Sequence, residues 1–151
     1  MYKVGLRHGY GLYFFPTGKV LEGESLLDKN TGFKVIYSGH DKWVNFKGML
    51  KDGTYSGYGI EYFFDGDVFE GFFEYGNWNG FGVYKYANKN VFTGFWKDNC
   101  KQGFGEMKYA SGEVFRGNYV KDKKEGEGAY WQNNVPVKYG VWKGNKQMVN
   151  V

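Results

Sequence analysis

The stretch Val91-Phe92-Thr93-Gly94-Phe95-Trp96, followed by Gly103-Phe104-Gly105, is the unit that the whole chain repeats. The unit occurs 23 residues earlier as Val68-Phe69-Glu70-Gly71-Phe72-Phe73 with Gly80-Phe81-Gly82, and 23 residues later from Val114 onward. A fixed internal period of this length is the signature of a repeat architecture. Gly-x-Gly pairs, one of them degenerate, open at Gly9, Gly32, Gly57, Gly80, Gly103 and Gly126.

Within one unit, the alternation of side chains predicts two strands and two connections. Phe92, Gly94 and Trp96 lie at alternate positions, so on a strand they share one face. The polar residues 97–102 are expected to form a loop before the return strand, and Ser111-Gly112 a tight turn into the next unit. Each repeat is therefore predicted to be a β-hairpin, and the chain an antiparallel β-meander without helical periodicity.

The composition favours a thin structure. The 151 residues include 33 aromatic residues but only eight Leu and Ile, and 25 of the residues are glycine. A thick core is filled mainly with aliphatic side chains, so this bias indicates that large rings cover a single layer. The net charge of +4 is mild and mixed along the chain, and it neither demands nor excludes an anionic partner.

The period divides the chain into one array over residues 1–151. The second unit is the least regular, because Lys34 replaces the second glycine of its pair and two extra residues fall near 38–41. In the last unit Val135-Pro136 is expected to replace the glycine turn. The first unit lacks most of its first strand, so we expect either an upstream partner strand or a longer protein. The units span about residues 2–18, 19–42, 43–66, 67–89, 90–112 and 113–135, with a partial unit at 136–151.

These residues carry a family resemblance. The order aromatic-x-Gly-x-aromatic, polar segment, Gly-x-Gly and x-Gly turn resembles the MORN repeat, and the copies span about residues 2–144. The resemblance implies an all-β fold: a single-layer, elongated, twisted antiparallel meander of tandem hairpins. It also implies a non-catalytic scaffold, as in cytoskeletal and ciliary or axonemal assemblies. Other members of the family lie beside membranes or precede lipid-kinase domains.

The file of rings on the glycine face is the best candidate site. We expect these rings to cover one another and the glycines. Because a single sheet has no second layer, we also expect them to line an exposed apolar groove that binds a partner helix or peptide. The ring file consists of Phe46, Phe69, Phe73, Phe92, Trp96, Phe115, Tyr119 and Trp142.

The densest basic cluster offers an alternative. Lys121, Lys123 and Lys124 precede Gly126 and are interrupted by acidic residues. A membrane-proximal module could use such a loop on phosphoinositides, although stable anchoring usually takes several more basic residues. A solvated loop explains the same cluster without any ligand. The sequence leaves both interpretations open.

Motifs for catalysis and cofactors are weak. No Gly-x-Gly pair continues into a phosphate-binding fingerprint or leads into a helix. His8, His40 and Cys100 are too few and too scattered for a zinc site, and the carboxylates Glu125 and Glu127 are expected to be solvated. We therefore expect no enzyme, no metal and no cofactor, and the mixed charge argues against nucleic acid as a partner.

The setting and the partners follow from general features. A single cysteine fits a reducing compartment, and no apolar run or signal-peptide pattern is present, so a cytoplasmic location is expected. Strand edges at Tyr2 and near Trp142 would leave unpaired backbone groups. We therefore expect a homodimer or a larger assembly formed through the ends of the sheet, with anionic membrane contact as a further possibility.

Overall fold

A computed structural model describes residues 2–3, 6–26, 29–39 and 43–150 of the chain. Every regular element in this part is a β-strand. In chain order the strands are β1 Tyr2–Lys3, β2 Leu6–Arg7, β3 Gly9–Phe14, β4 Val20–Ser25, β5 Gly32–Tyr37, β6 Val44–Lys51, β7 Thr54–Tyr62, β8 Val68–Glu74, β9 Asn77–Lys85, β10 Val91–Lys97, β11 Cys100–Lys108, β12 Val114–Val120, β13 Lys123–Gln132, β14 Val135–Lys143 and β15 Lys146–Asn150.

Strands β3 to β15 form one antiparallel sheet in which neighbours in sequence are neighbours in space. β1 and β2 pair separately. The predicted all-β meander of tandem hairpins is confirmed, and the described residues contain no helix. Thirteen strands at roughly 4.8 Å spacing extend over about 58 Å.

The two faces of this sheet differ sharply. We call the side that carries Phe92, Gly94 and Trp96 the ring face, and the side that carries Thr93 and Phe95 the open face. The burial of β10 alternates accordingly, with its ring-face residues buried and Phe95 exposed. The hydrophobic core therefore lies on the ring face, and Phe92, Gly94 and Trp96 share that face as the period-2 alternation predicted.

The connection predicted as a loop over residues 97–102 is a two-residue turn instead. β10 ends at Lys97 and β11 begins at Cys100. Asp98 and Asn99 both have positive φ, 48° and 67°, which is the combination that a type I′ hairpin turn requires. The sequence interpretation was wrong because polarity alone does not separate a loop from the exposed ends of two strands.

The last repeat corrects a second expectation. Its turn consists of Asn133 and Asn134, with φ values of 51° and 61°, and not of Val135-Pro136. Val135 already belongs to β14 and pairs with Gln132. Asparagine tolerates the left-handed conformation, so two asparagines replace the glycine of turns such as Ser111-Gly112. The extra residues placed near 38–41 fall partly on residues 40–42, outside the described part.

The turns of successive hairpins are linked to one another. The side chain of Asn99 accepts a hydrogen bond from the backbone N–H of Trp78 at 2.8 Å, and Asn99 N–H donates to the Trp78 carbonyl at 3.2 Å. The side chain of Asp122 accepts from Lys101 N–H at 2.8 Å in the next repeat. The polar turn residues thus fasten each hairpin to the previous one.

The edges of the sheet differ from those predicted. Tyr2 pairs with Arg7 in the separate β1–β2 ladder. Trp142 lies in β14, which pairs with β13 on one side and with β15 on the other. The outermost strands of the large sheet in the described residues are therefore β3 and β15.

Candidate functional site

In the central Gly-x-Gly pairs, the first and the second glycine are required for different physical reasons, as Gly103 and Gly105 show. Gly103 has a φ of +100°, a conformation that side chains with a Cβ rarely adopt. It lies where the register between β10 and β11 shifts, opposite Phe95. Gly105 lies under a ring, because an added Cβ would be 2.3 Å from Cζ of Phe92. The first glycine is needed for the backbone and the second for space.

The rings of the predicted file are buried. Their exposed fractions are 0–4%, so the expectation that they line an open groove is wrong. Partner binding by these rings stays a prediction, but direct contact with them needs the overlying residues to move. They are the eight rings Phe46, Phe69, Phe73, Phe92, Trp96, Phe115, Tyr119 and Trp142.

A second layer of side chains explains this burial. Tyr55 stacks on Phe46 with 3.7 Å between ring centroids, and Trp78 stacks on Phe69 at 4.5 Å. Further half-buried rings, among them Tyr84, pack against the same cluster. The covering residue comes from the return strand at a fixed place in the repeat, so a single sheet buries its own aromatic core.

The covering position changes from ring to cation along the chain. In the next two repeats it is held by Lys101 and Lys124. The Lys101 Nζ lies 5.0 Å from the centroid of the Phe92 ring, and the Lys124 Nζ lies 4.5 Å from that of Phe115. Both distances allow cation–π attraction. Sequence reasoning missed Lys101 and named Lys124 only as part of the basic cluster, because both lysines stand outside the glycine and aromatic positions of the pattern.

The second repeat shows what replaces the glycine–ring pair. Lys34 occupies the position of the second glycine and is fully buried, and Leu21 occupies the position of the buried phenylalanine. The smaller Leu21 leaves room for the Lys34 side chain. Its Nζ donates a hydrogen bond to the backbone carbonyl of Thr31 at 2.8 Å and another to that of Glu24. Burial lowers the pKa of Lys34.

The predicted basic cluster is divided by the fold. Lys121 belongs to a turn and Lys123 is exposed, whereas Lys124 is half-buried on the ring face. Its Nζ donates to the hydroxyl oxygens of Tyr130 at 2.5 Å and of Tyr109 at 3.1 Å. The three lysines therefore do not form one solvated loop. Lipid contact by them remains a prediction.

Two lysines and four tyrosines come together around this point, and we call them the lysine–tyrosine cluster. Burial lowers the pKa of Lys101, and the nearby Lys124 ammonium lowers it further, while Asp122 opposes both. Burial also disfavours charged Lys124, but its hydrogen bonds to Tyr130 and Tyr109 outweigh that and raise its pKa. The members of the cluster are Lys101, Lys124, Tyr86, Tyr109, Tyr119 and Tyr130.

The open face carries a feature that the sequence interpretation passed over. One half-exposed apolar side chain from each of seven adjacent strands, β5 to β11, forms a continuous row that we call the aromatic ladder. The exposed fractions are 44–60%. The signal was present in the sequence as the residue between the two glycines and the residue after the strand glycine. The ladder consists of Phe33, Met49, Tyr58, Phe72, Phe81, Phe95 and Phe104.

Two of the carboxylates beside the ladder accept hydrogen bonds from tyrosine side chains. The Tyr10 and Tyr37 hydroxyls donate to Glu22 at 2.6 and 2.7 Å, and these bonds lower the pKa of Glu22. Glu70 accepts from the Tyr58 hydroxyl and lies 3.8 Å from the Lys85 ammonium. Glu22 and Glu70 are therefore held in place at the margin of the ladder by tyrosine hydroxyls.

An open pocket of about 510 Å³ continues the ladder beyond Phe104. Its floor includes Ala129, which stands where the two central repeats have the larger Ile60 and Val83. The Arg116 guanidinium lies 4.8 Å from the Trp131 ring centroid at its rim, and also pairs with Glu106 at 2.7 Å. The small side chain of Ala129 creates the space.

The residues considered for chemistry lie apart. Cys100 is half-buried at the start of β11, and burial raises the pKa of its thiol. His40 lies outside the described residues. Within the part of the chain that the structure describes, no group of three or more His, Cys, Asp or Glu side chains could hold a metal ion. That part also has no helix long and apolar enough to cross a membrane.

The geometry defines a class: an array of tandem β-hairpins that builds one open sheet. The family model described as MORN repeat matches residues 2–20, 46–68, 69–91, 92–114 and 115–135. These matches cover more than half of the chain, which therefore belongs to the MORN-repeat family. Such repeats are generally protein- or membrane-interaction modules and generally non-catalytic. A comparison with curated proteins found no match.

Proposed function

We propose that the protein is a non-catalytic scaffold that binds a partner protein across its open face. The observation that carries this proposal is the aromatic ladder, an unbroken row of half-exposed apolar side chains on seven adjacent strands. Contiguous apolar surface on a protein usually marks a contact site. Aromatic side chains also supply much of the binding energy at interfaces.

The occupant that fits best is an amphipathic helix lying across the strands. Six strand intervals at roughly 4.8 Å give the ladder a length of about 29 Å, which equals about 19 helical residues at 1.5 Å each. Carboxylates stand along its margin, among them Glu22, Glu70 and Glu106, and they disfavour an anionic ligand. An apolar stripe therefore complements this surface better than a lipid headgroup or nucleic acid does. The pocket beside Ala129 has room for an anchoring side chain from the same helix.

The proposal extends to a cellular setting and to an alternative function. A cytoskeletal or ciliary assembly rests on the family resemblance alone. Phosphoinositide binding through Lys121, Lys123 and Lys124 has less support than the ladder, because Lys124 is engaged with tyrosine hydroxyls on the ring face. Co-sedimentation with anionic liposomes at physiological salt tests that alternative directly.

The ladder is tested by comparative capture followed by measurement with purified components. The wild-type chain and the double variant Phe72→Ser/Phe95→Ser are used to capture proteins from native extract. Phe64→Ser is the control, since Phe64 is strongly exposed but lies outside the ladder. A protein lost only by the double variant is expressed, and its affinity is measured by calorimetry.

We expect the double variant to weaken that binding at least a hundredfold, since each lost ring at a hot spot costs roughly 2 kcal/mol. Ala129→Leu should weaken it about tenfold by filling the pocket, without lowering the melting temperature. Equal binding by wild type and double variant contradicts the proposal. Self-association of the wild type that the double variant abolishes would identify a second copy as the occupant and contradict the helix.

A further inference from the structure

We propose that the lysine–tyrosine cluster on the ring face is a binding site for one oxyanion group, a phosphate or a carboxylate. It lies on the opposite side of the sheet from the aromatic ladder, so it stands independently of the partner surface proposed above. The site is built from two adjacent repeats, with Lys101 and Tyr119 as the principal contacts. Lys124 supplies a second positive charge.

Lys101 is the first reason. Its ammonium is enclosed by the rings of Tyr86, Phe92 and Tyr119, with the Nζ at 5.4, 5.0 and 5.9 Å from their centroids. An ammonium group has three N–H donors, yet no acceptor within hydrogen-bonding distance of Lys101 Nζ occurs among the described residues. A half-buried cation without an acceptor is costly unless an anion joins it. Its partial exposure leaves a path for that anion.

Tyr119 gives an independent observation. Its side chain is almost completely buried, and in the described part of the chain its hydroxyl has no hydrogen-bond partner. Burial first, and then the neighbouring hydroxyls of Tyr109, Tyr130 and Tyr86, raise the pKa of Tyr119 well above its usual value. The hydroxyl is therefore a donor at every physiological pH, and an oxyanion beside Lys101 would supply the missing acceptor.

The earlier repeats show that the fold does not need these charges. The same covering position holds Tyr55 over Phe46 and Trp78 over Phe69, and uncharged rings bury the core there. An ammonium at this position adds a desolvation cost, which tyrosine hydroxyls offset at Lys124 but no acceptor among the described residues offsets at Lys101. A bound anion would recover the cost at Lys101, which gives this lysine a role beyond packing.

A recessed pair of lysines suits one anionic group and not an extended anionic surface. Stable attachment to an anionic membrane takes roughly four to eight basic residues together, whereas Lys101 has Asp122 close enough to oppose the local positive charge. The ligand is therefore a single phosphate ester or carboxylate carried by a small molecule or by a protein side chain.

The test uses the full chain with lysines labelled at the ¹³Cε position, titrated by NMR with inorganic phosphate or with acetate at constant ionic strength. We expect the Lys101 signal to shift saturably and its pKa to rise, because a bound anion stabilises the ammonium form. If the shift saturates with phosphate but not with acetate, the ligand is a phosphate ester. If it saturates with both ions, the site accepts oxyanions in general.

Two variants and a control make the result specific. Tyr119→Phe keeps the ring and the fold, and it should weaken the affinity for the ion about threefold, because it removes one hydrogen bond. Lys101→Met should weaken the affinity for the ion at least tenfold, as measured from the NMR signal of Lys124. Lys97→Met is the control: Lys97 lies on the open face of the same hairpin, so this variant should bind the ion with the wild-type affinity. Shifts that rise linearly, or equal binding by Tyr119→Phe, Lys101→Met and Lys97→Met, mean an adventitious ion only and overturn the proposal.

Discussion

The ring face and the open face are both rich in aromatic side chains, yet they treat them oppositely. Phe92 on the ring face is fully buried, whereas Phe95 in the same strand is 50% exposed on the open face. The difference comes from the glycines beneath Phe92 and from the Lys101 side chain that covers it. Gly94 and Gly105 leave the space that the Phe92 ring occupies, while Phe95 stands beside Phe81 with 5.9 Å between their ring centroids. The glycines beneath a ring and the side chain that covers it therefore decide together whether that ring is core or surface.

The largest expected effect is a difference in unfolding free energy between alanine variants of these two phenylalanines. Phe92→Ala removes a buried ring and should lower the free energy of unfolding by about 3–5 kcal/mol. Phe95→Ala changes an exposed position and should lower it by less than about 1 kcal/mol. Urea denaturation followed by tryptophan fluorescence measures both values. Equal losses would show that the two faces are not core and surface.

A smaller effect should appear when the space under the ring is filled. Gly105→Ala places a Cβ against Phe92 and should cost about 1–3 kcal/mol through overpacking. The second repeat indicates which change should relieve this overpacking. There the smaller Leu21 replaces the phenylalanine and accommodates Lys34 at the glycine position. In a Phe92→Leu background the cost of Gly105→Ala should therefore shrink.

A double-mutant cycle on urea denaturation gives the coupling between the two positions. We expect a favourable coupling of about 1 kcal/mol or more, since residues in direct contact are rarely additive. Gly103→Ala serves as the contrast. Gly103 is needed for its positive φ and not for space. The Phe92→Leu change should therefore not reduce the loss of stability that Gly103→Ala causes. Relief at both glycines would refute the division of roles.

Much of the fold could be predicted from the sequence, because the period, the strand alternation and the hairpin turns are local properties. Burial was harder. The ring file was identified correctly as one face, but its cover was missed, since Tyr55, Trp78 and Lys101 share a position without sharing a residue type. The aromatic ladder was missed because Phe81 and Phe95 are far apart in sequence and meet only across the strands. A sequence pattern shows which residues recur along the chain, but it does not show as readily which of them are in contact.

The smallest effect concerns pH and a pair of tyrosines on β7. Tyr55 covers the ring face, and burial raises its pKa to about 12, with a smaller contribution from Glu61. Tyr58 lies on the open face, and its pKa is raised first by its hydrogen bond to Glu70. In both cases the folded pKa exceeds the usual value of about 10. Their stabilisation is therefore complete below pH 10 and is lost as pH rises through the folded pKa.

The two Tyr→Phe variants should consequently behave differently. Tyr55→Phe loses no hydrogen bond seen among the described residues, so it should match wild type at pH 7 and lose less stability between pH 10 and 12. Tyr58→Phe loses its bond to Glu70 and should be slightly less stable already at pH 7. Urea midpoints at pH 7 and pH 11 measure both effects. If Tyr55→Phe follows the wild-type decline at alkaline pH, the ionisation of this covering ring does not oppose folding, and the ring face is more hydrated than its burial indicates.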